Sequence, residues 1–355
     1  MERIRLGVIG AGLMGMKHIE LVHACGICSL AGISDVDPSR KALADAFGVS
    51  FYRTAEELID GEQPTGVIIA TPNAQHAAIA EVCAKRSVHM LIEKPIADTL
   101  AQAMRIVDIA NQSGIRVLVG HHRRHSPLIR KTRELVGGGA IGKLIGVSVL
   151  WALMKPDAYF DVEWRRQRHV GGPLLINLIH DLDSLRFICG EIKEVYARAS
   201  SAVRGFDVED SLSISIAFDN GAIGSVLASD ATPAAWSYEA AVGENPLYFR
   251  TEENCYHFLG TSASLAFPRM ELWRYADANR KGWQHPMERS QIAVGEADPL
   301  KVQLEHFCRV VRGEDEPVVN ARDGAETLAV ALAVQRSASK GIPIDPSELL
   351  TGIEG

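Results

Sequence analysis

Residues 4–15 read IRLGVIGAGLMG, an apolar run followed by three closely spaced glycines. The short apolar run Ile4–Ile9 predicts a strand buried on both faces of a parallel sheet. Gly10, Gly12 and Gly15 then give the spacing G-x-G-x-x-G at the end of that strand, ahead of a helical pattern. Glycines at this spacing allow a tight turn, a close backbone approach to a pyrophosphate, and close packing of helix on strand. We therefore expect a dinucleotide-binding βαβ unit.

The start of the predicted helix and the end of the next strand give two contacts for such a dinucleotide. A helix N-terminus attracts phosphates, and the amides expected there are those of Gly12, Leu13 and Met14. A second apolar strand, Leu30–Ser34, ends at Asp35, whose carboxylate suits the hydroxyls of an adenosine ribose. Asp35 would repel the extra phosphate of NADP, so NAD is the expected cofactor. The alternative, a helix cap, is assigned to Asp37, because Pro38 follows it.

Size and charge narrow the class of protein. A chain of 355 residues predicts two domains, placed at residues 1–122 and 123–355. The net charge of −7 provides no positive electrostatic field that would attract nucleic acid or an anionic membrane. No apolar run is long enough to span a membrane and no signal peptide precedes the first strand, so a cytoplasmic location is expected. Six scattered cysteines predict reduced thiols rather than a zinc or redox site.

Two different patterns of secondary structure predict two kinds of domain. Strands and helices alternate over residues 1–122, which predicts an α/β Rossmann domain with a doubly wound parallel sheet. From 123 to 355 strands dominate, which predicts an α+β domain built on a large open, mostly antiparallel sheet. The strands expected there include Gly146–Trp151, Glu194–Ser200, Ser211–Phe218 and Ala222–Ser229. The open apolar face of that sheet is expected to form a homodimer or homotetramer.

Glu93-Lys94-Pro95 follows a predicted strand, Val88–Ile92, at the edge where the nicotinamide is expected. A lysine at this position can donate a hydrogen bond to a substrate oxygen or exchange a proton with it. Glu93 is suited to orient the lysine. The alternative interpretation is a surface ion pair at the end of a strand.

A second motif, residues 171–183, reads GGPLLINLIHDLD. Its leucines and isoleucines have helical spacing from Leu174 onward. His180 comes three positions after Asn177 and three before Asp183, so these side chains can share one edge of a helix. A neutral imidazole held by a carboxylate is a suitable proton acceptor for an alcohol. The alternative is a histidine whose hydrogen bonds are satisfied within the core.

Together these motifs resemble the Gfo/Idh/MocA family of glucose–fructose oxidoreductases, inositol dehydrogenases and rhizopine catabolism proteins. The resemblance spans nearly the whole chain. In chain order it rests on Gly10–Gly15, Thr71-Pro72-Asn73 with His76, Glu93-Lys94-Pro95, Val119-Gly120-x-x-Arg123-Arg124-x-x-Pro127, Trp164-Arg165, and Gly171-Gly172 leading to His180-x-x-Asp183. It implies NAD(P)-dependent oxidation or reduction of a sugar, inositol or related cyclic alcohol.

The resemblance also implies roles for individual residues. Lys94 and His180 correspond to the family's catalytic pair. Further cofactor contacts are implied for Thr71, Asn73, His76, Glu93, Lys94, Arg123, Trp164 and Arg165, and substrate contacts for Lys94, His122, Trp164, Asn177 and His180. Many family members place an aspartate four residues before the histidine, where this chain has Ile176. Asn177 cannot replace it as a base, and Asp183 lies on the other side of His180.

Histidines and arginines near these motifs raise two further questions. No metal is expected at His121, His122 and His125, or at His169 and His180, because no acidic or cysteine ligands accompany them at a recognisable spacing. The basic run of residues 165–168, RRQR, either binds an anionic substrate or is a solvated loop.

The predicted function is hydride transfer between NAD and a secondary alcohol carbon of a carbohydrate-like small molecule, with His180 taking the hydroxyl proton. Two alternatives remain. One is a glycoside hydrolase that uses bound NAD for a transient oxidation. The other is a non-catalytic sensor of nucleotide and sugar, which Ile176 favours and the retained Lys94 and His180 disfavour.

Overall fold

The computed structural model describes residues 3–168, 170–244, 247–277 and 279–352, and they form two compact units. Unit 1 contains residues 3–126 and 297–328, and unit 2 contains the described residues of 127–296 and 329–352. The sequence predicted two contiguous domains, 1–122 and 123–355. The structure differs in that unit 1 takes up a second segment near the end of the chain.

Unit 1 is built on a six-stranded parallel sheet with the strand order β3-β2-β1-β4-β5-β6. Its strands are β1 (Ile4–Ile9), β2 (Cys28–Ser34), β3 (Ser50–Tyr52), β4 (Gly66–Ile69), β5 (His89–Ile92) and β6 (Val117–Val119). The helices between them are α1 (Leu13–Ala24), α2 (Lys41–Phe47), α3 (Ala55–Glu62), α4 (His76–Lys85) and α5 (Leu100–Ser113). The strand order reverses between β1 and β4, which is where such sheets bind ligands. The predicted Rossmann domain is confirmed.

Unit 2 is built on a nine-stranded mixed sheet with the order β15-β14-β13-β12-β7-β10-β9-β8, in which β11 also pairs with β7. Its elements up to residue 296 are α6 (Pro127–Gly137), β7 (Leu144–Met154), α7 (Ile179–Cys189), β8 (Ile192–Ser200), β9 (Ser211–Phe218), β10 (Ile223–Ser229), β11 (Ala231–Trp236), α8 (Tyr238–Val242), β12 (Tyr256–Gly260), β13 (Ser264–Phe267), β14 (Glu271–Tyr275) and β15 (Met287–Gln291). Among the described strands of this second sheet, only β7 and β10 pair in parallel. The predicted α+β domain with a mostly antiparallel sheet is confirmed.

Three helices close the chain: α9 (Pro299–Arg312), α10 (Ala321–Lys340) and α11 (Pro346–Thr351). Helix α9 belongs to unit 1 because its apolar face completes that unit's core. The ring of Phe307 is fully buried against Gly66 of β4, where an added Cβ would lie 3.2 Å from it. The Val119 amide also donates to the Val319 carbonyl at 2.9 Å. The chain therefore returns to unit 1 at residue 297 and passes back to unit 2 at residue 329.

The sheet of unit 2 has one buried and one exposed face. Alternate residues of β9 are buried, as Leu212 and Ile214 show, and they belong to a core that also contains residues of α7 and α10. On the opposite face, Ile145, Ile223 and Leu227 are 52%, 65% and 57% exposed. No helix in the described part of the chain is long and apolar enough to cross a membrane.

Candidate active site

The three glycines after β1 differ in the space that a side chain would have at each position. Gly10 has a φ of +89°, and a Cβ there would lie 2.7 Å from the Ala70 carbonyl carbon at the end of β4. A Cβ on Gly15 would lie 1.9 Å from the Gly10 oxygen, so α1 can pack on the turn only without a side chain. Around Gly12, in contrast, no atom lies within 4 Å of an added Cβ. The fold requires Gly10 and Gly15, whereas Gly12 leaves open space.

The start of α1 has the properties of a phosphate site. Gly12 is the N-cap and makes no side-chain cap, so the first amides of the helix are left for a ligand. Leu13 is 83% exposed, and Met14 is half-buried. Asp35 lies beside this turn, because its Oδ2 accepts from the Ala11 amide at 2.7 Å and its Oδ1 from the Asp37 amide at 2.8 Å. These residues fit the pyrophosphate and ribose of a dinucleotide.

The turn after β4 supplies the next part of the same edge. The Thr71 hydroxyl oxygen is buried and has no hydrogen-bond partner among the described residues, and Asn73 is half-buried. His76 is fully buried. Its Nε2 lies 2.9 Å from the Thr71 carbonyl oxygen, and its Nδ1 lies 3.1 Å from the Ile96 carbonyl oxygen. Burial lowers the pKa of the His76 imidazole, which favours the neutral ring. Both ring nitrogens lie within hydrogen-bond distance of backbone carbonyl oxygens, so His76 holds this turn in place.

Glu93 and Lys94 follow β5 directly, as predicted, but a histidine of α1 holds the glutamate. Glu93 is buried, and its Oε1 lies 2.7 Å from Nε2 of His18. Its Oε2 accepts from the Lys94 amide at 3.2 Å. Burial alone would raise the pKa of the Glu93 carboxyl, but the His18 hydrogen bond and the charges of His18, Lys94 and His122 lower it below its ordinary value. Glu93 therefore fixes the backbone of the lysine turn as an anion. The Lys94–Pro95 peptide bond is cis.

His18 was not predicted as a site residue. It lies three positions after Gly15 on the buried face of α1, which also contains Ile19 and Val22. The sequence feature that could have identified His18 is a polar ring on an otherwise apolar helix face. Such a buried ring needs a hydrogen-bond partner.

The segment after β6 brings His122 and Arg123 to the same edge as Lys94. The Gly120 amide donates to the Ile92 carbonyl at 2.7 Å, and a Cβ on Gly120 would lie 3.1 Å from the Glu93 Cα. His122 is half-buried there, while Arg123 is 1% exposed. The carboxyl edge of this sheet thus carries the residues predicted in unit 1 for the cofactor, Lys94 included.

The motifs of unit 2 form a second group. A Cβ on Gly171 would lie 2.5 Å from the Arg165 oxygen, so the glycine loop packs on the Trp164–Arg165 backbone. Gly172 has a φ of +80°, and a Cβ there would lie 2.6 Å from Oε1 of Glu209. That oxygen accepts from the Leu174 amide at 3.0 Å, and burial raises the pKa of the Glu209 carboxyl. Trp164 is 45% exposed and Arg165 is half-buried.

His180 is the second residue of α7 and is 8% exposed. The sequence predicted one regular helix from Leu174, whereas the structure has a π-helical turn at Leu174–Leu178 before α7 begins. A π turn adds a residue per turn, so the α-helical spacing from Asn177 to His180 does not hold across it. Such turns occur frequently at functional sites. Asp183 is fully buried on the same helix.

The described residues contain no group of three or more histidine, cysteine, aspartate or glutamate side chains that could hold a metal ion. His169 lies outside the described residues. All six cysteines are free thiols.

The comparisons with known proteins agree with this geometry. Residues 4–121 match the model of the oxidoreductase family with an NAD-binding Rossmann fold, and residues 129–266 match the GFO/IDH/MocA C-terminal domain. The chain belongs to the GFO/IDH/MocA family. Membership confirms the recognised family, the predicted class of enzyme, an oxidoreductase, and the use of a nicotinamide dinucleotide.

Individual relatives extend over different shares of the chain. The rhizopine catabolism protein MocA of Rhizobium meliloti is 31% identical over 194 residues, which cover 54% of this chain and 59% of that protein. The myo-inositol 2-dehydrogenase of Thermotoga maritima is 25% identical over 342 residues, covering 94% and 96%. A solved levoglucosan dehydrogenase in complex with NADH and levoglucosan has a TM-score of 0.78 at 23% identity, covering 97% of this chain and 99% of that one.

Two glycine substitutions separate the fold from the cofactor site. We expect Gly12→Ala to unfold like the wild type but to bind NAD at least about tenfold more weakly, because its methyl group enters open space at the helix start. We expect Gly15→Ala to lose stability, because its methyl group would overlap the Gly10 oxygen. Urea unfolding and calorimetric titration with NAD measure the two effects. Gly26→Ala, which also meets no atom within 4 Å, is the control. Unchanged NAD affinity in Gly12→Ala would remove the phosphate site from this turn.

Proposed function

We propose that this chain is an NAD-dependent dehydrogenase that transfers a hydride between nicotinamide and a secondary alcohol or ketone of a sugar, inositol or related cyclic polyol. The observation that carries the proposal is the Lys94 turn, which Glu93 and His18 hold at the carboxyl edge of the Rossmann sheet. The names of the relatives, which include an inositol dehydrogenase and a levoglucosan dehydrogenase, support the substrate class.

The chain's own residues supply binding and proton transfer in this proposal. When bound, the nicotinamide ring accepts or returns the hydride. Lys94 donates a hydrogen bond to the reacting oxygen of the substrate, which favours negative charge on that oxygen. His180 accepts the hydroxyl proton, a role that suits a nearly buried imidazole on a rigid helix. Trp164, Arg165 and His122 contact substrate or cofactor in this proposal.

Removal of the lysine amine tests this function. We expect Lys94→Met to lower turnover by at least about 100-fold, because the hydrogen bond to the reacting oxygen is lost, while the Kd for NAD changes less than about threefold. NADH absorbance is followed with a panel of inositols, sugars, sugar acids and cyclic diols. Lys85→Met, on an exposed lysine of α4, is the matched control. Equal turnover in Lys94→Met and wild type would contradict the role of Lys94.

The same assay, carried out on the wild-type protein, distinguishes the dehydrogenase from the two alternative functions. Hydrolysis of a glycoside with retained cofactor and no net NADH would indicate the redox-assisted hydrolase. Binding of NAD and sugar without any turnover would indicate a sensor.

We further propose that the cofactor is NAD rather than NADP, because Asp35 places a carboxylate beside the glycine turn. We expect Asp35→Ser to reduce the preference for NAD over NADP, measured as the ratio of kcat/KM values, by at least about tenfold, since charge repulsion is removed. Asp45→Ser, on an exposed residue of α2, is the control for loss of a negative charge. An unchanged ratio would assign the preference to other residues.

We also propose that a second copy of the chain covers the exposed face of the unit 2 sheet. Support comes from the exposed apolar side chains of β7 and β10. We expect Leu227→Lys to shift the protein toward the monomer, because it places a charge in the middle of an apolar contact. Light scattering after gel filtration measures the mass, and Lys193→Ser on β8 is the control. A monomeric wild type would contradict this proposal.

A further inference from the structure

Lys155 comes directly after β7 and is 4% exposed. It is the one buried lysine in the described part of the chain. Its ammonium donates to Oδ1 of Asn177 at 2.8 Å and lies 3.3 Å from Oδ2 of Asp230. A buried ammonium is costly unless it is paired and hydrogen-bonded, and both conditions are met here.

Asn177 lies within the π turn that precedes His180, and its amide is bound at both ends. Its Nδ2 donates to Oε1 of Glu239 at 3.2 Å, and Oε2 of Glu239 accepts from the Trp151 indole at 3.0 Å. Asn177 itself is 8% exposed. Both ends of the Asn177 amide are therefore hydrogen-bonded within the protein, to Lys155 and to Glu239.

The Lys155 ammonium also lies over an aromatic ring. Nζ lies 4.7 Å from the ring centroid of Tyr159, and the Arg165 guanidinium carbon lies 4.0 Å from the same centroid. Arg165 also donates to the Tyr159 carbonyl at 2.7 Å. Cations are attracted to such ring faces, so Tyr159 joins Lys155 to the Trp164–Arg165 segment.

Asp230 supplies the counter-charge and is itself 1% exposed. Its Oδ1 accepts from Arg204 at 3.1 Å, and Arg204 also donates to the Lys155 carbonyl at 2.9 Å. Burial lowers the pKa of the Lys155 ammonium, and the charge of Asp230 opposes that effect. The end of β7, the start of β11 and the π turn are thus tied together through one lysine.

We propose that Lys155 is a positioning residue for the substrate side of the reaction. It holds the π turn before His180 through Asn177, and it holds the Trp164–Arg165 segment through Tyr159. This inference rests on the proposed dehydrogenase function. Four residues before His180 this chain has the apolar Ile176, and the adjacent Asn177 accepts the hydrogen bond from Lys155. Displacement of a catalytic group by about 1 Å can reduce the rate about 100-fold, so the effect falls on turnover.

A double-mutant cycle tests this chain of contacts. We expect Lys155→Met and Asn177→Leu each to lower kcat on the substrate found in the panel by about 10- to 100-fold, with the Kd for NAD unchanged within about twofold. The double variant is expected to lose no more than the worse single variant, because both remove the same attachment. Lys155→Arg, which keeps the donor and the charge, is expected to regain part of kcat. Lys193→Met, an exposed lysine of β8, is the control.

The outcomes are separable. A wild type without turnover on any compound of the panel would overturn the proposed function. A working wild type whose single variants keep kcat, or whose losses multiply in the double variant, would overturn the role of Lys155. Should Lys155→Met fail to fold, Asn177→Leu decides, because it leaves the ion pair of Lys155 and Asp230 in place.

Hydrogen exchange of residues 174–180 gives a readout without substrate: faster exchange in both variants supports the proposal, and unchanged exchange contradicts it.

Discussion

The close approach of α1 to the turn after β1 is the constraint on which unit 1 depends. No side chain fits at Gly15, and none at Gly10, where the turn touches the end of β4. This contact places the turn after β1 against the end of β4, where a Cβ on Gly10 would lie 2.8 Å from the Thr71 nitrogen. Asp35, at the end of β2, accepts from the Ala11 amide of the same turn. The chemistry proposed for unit 1 is therefore a consequence of backbone packing as much as of the polar residues themselves.

A carboxylate fixes the backbone of the chemical motif in each unit. Glu93 accepts from the Lys94 amide, and Glu209 accepts from the Leu174 amide at the start of the π turn. Their environments differ, because His18 keeps Glu93 anionic, whereas burial raises the pKa of Glu209. A carboxylate is a strong acceptor for a backbone amide, which makes it an effective anchor for a segment that must hold a side chain in place.

Much of the fold and part of the site could be predicted, because they depend on local patterns. The glycine turn, the end of β5 and the alternating strands can each be recognised from a pattern of a few consecutive residues. His18, Lys155 and Glu239 were missed because each is explained only by a partner from a distant part of the chain. The π turn was missed because its apolar residues suit an α-helix equally well. The half-buried strand β11 and the exposed strand β15 were missed because neither alternates buried with exposed residues.

The return of α9 to unit 1 bears on how the protein is made. Phe307 fills the space beside Gly66, so the nucleotide-binding core lacks part of its interior until residue 307 has been synthesised. The sheet of unit 2, which ends at Gln291, emerges from the ribosome earlier. During synthesis the unit that begins the chain is therefore completed late. Its apolar surface near Gly66 stays uncovered while the fifteen strands of the described residues have already been synthesised.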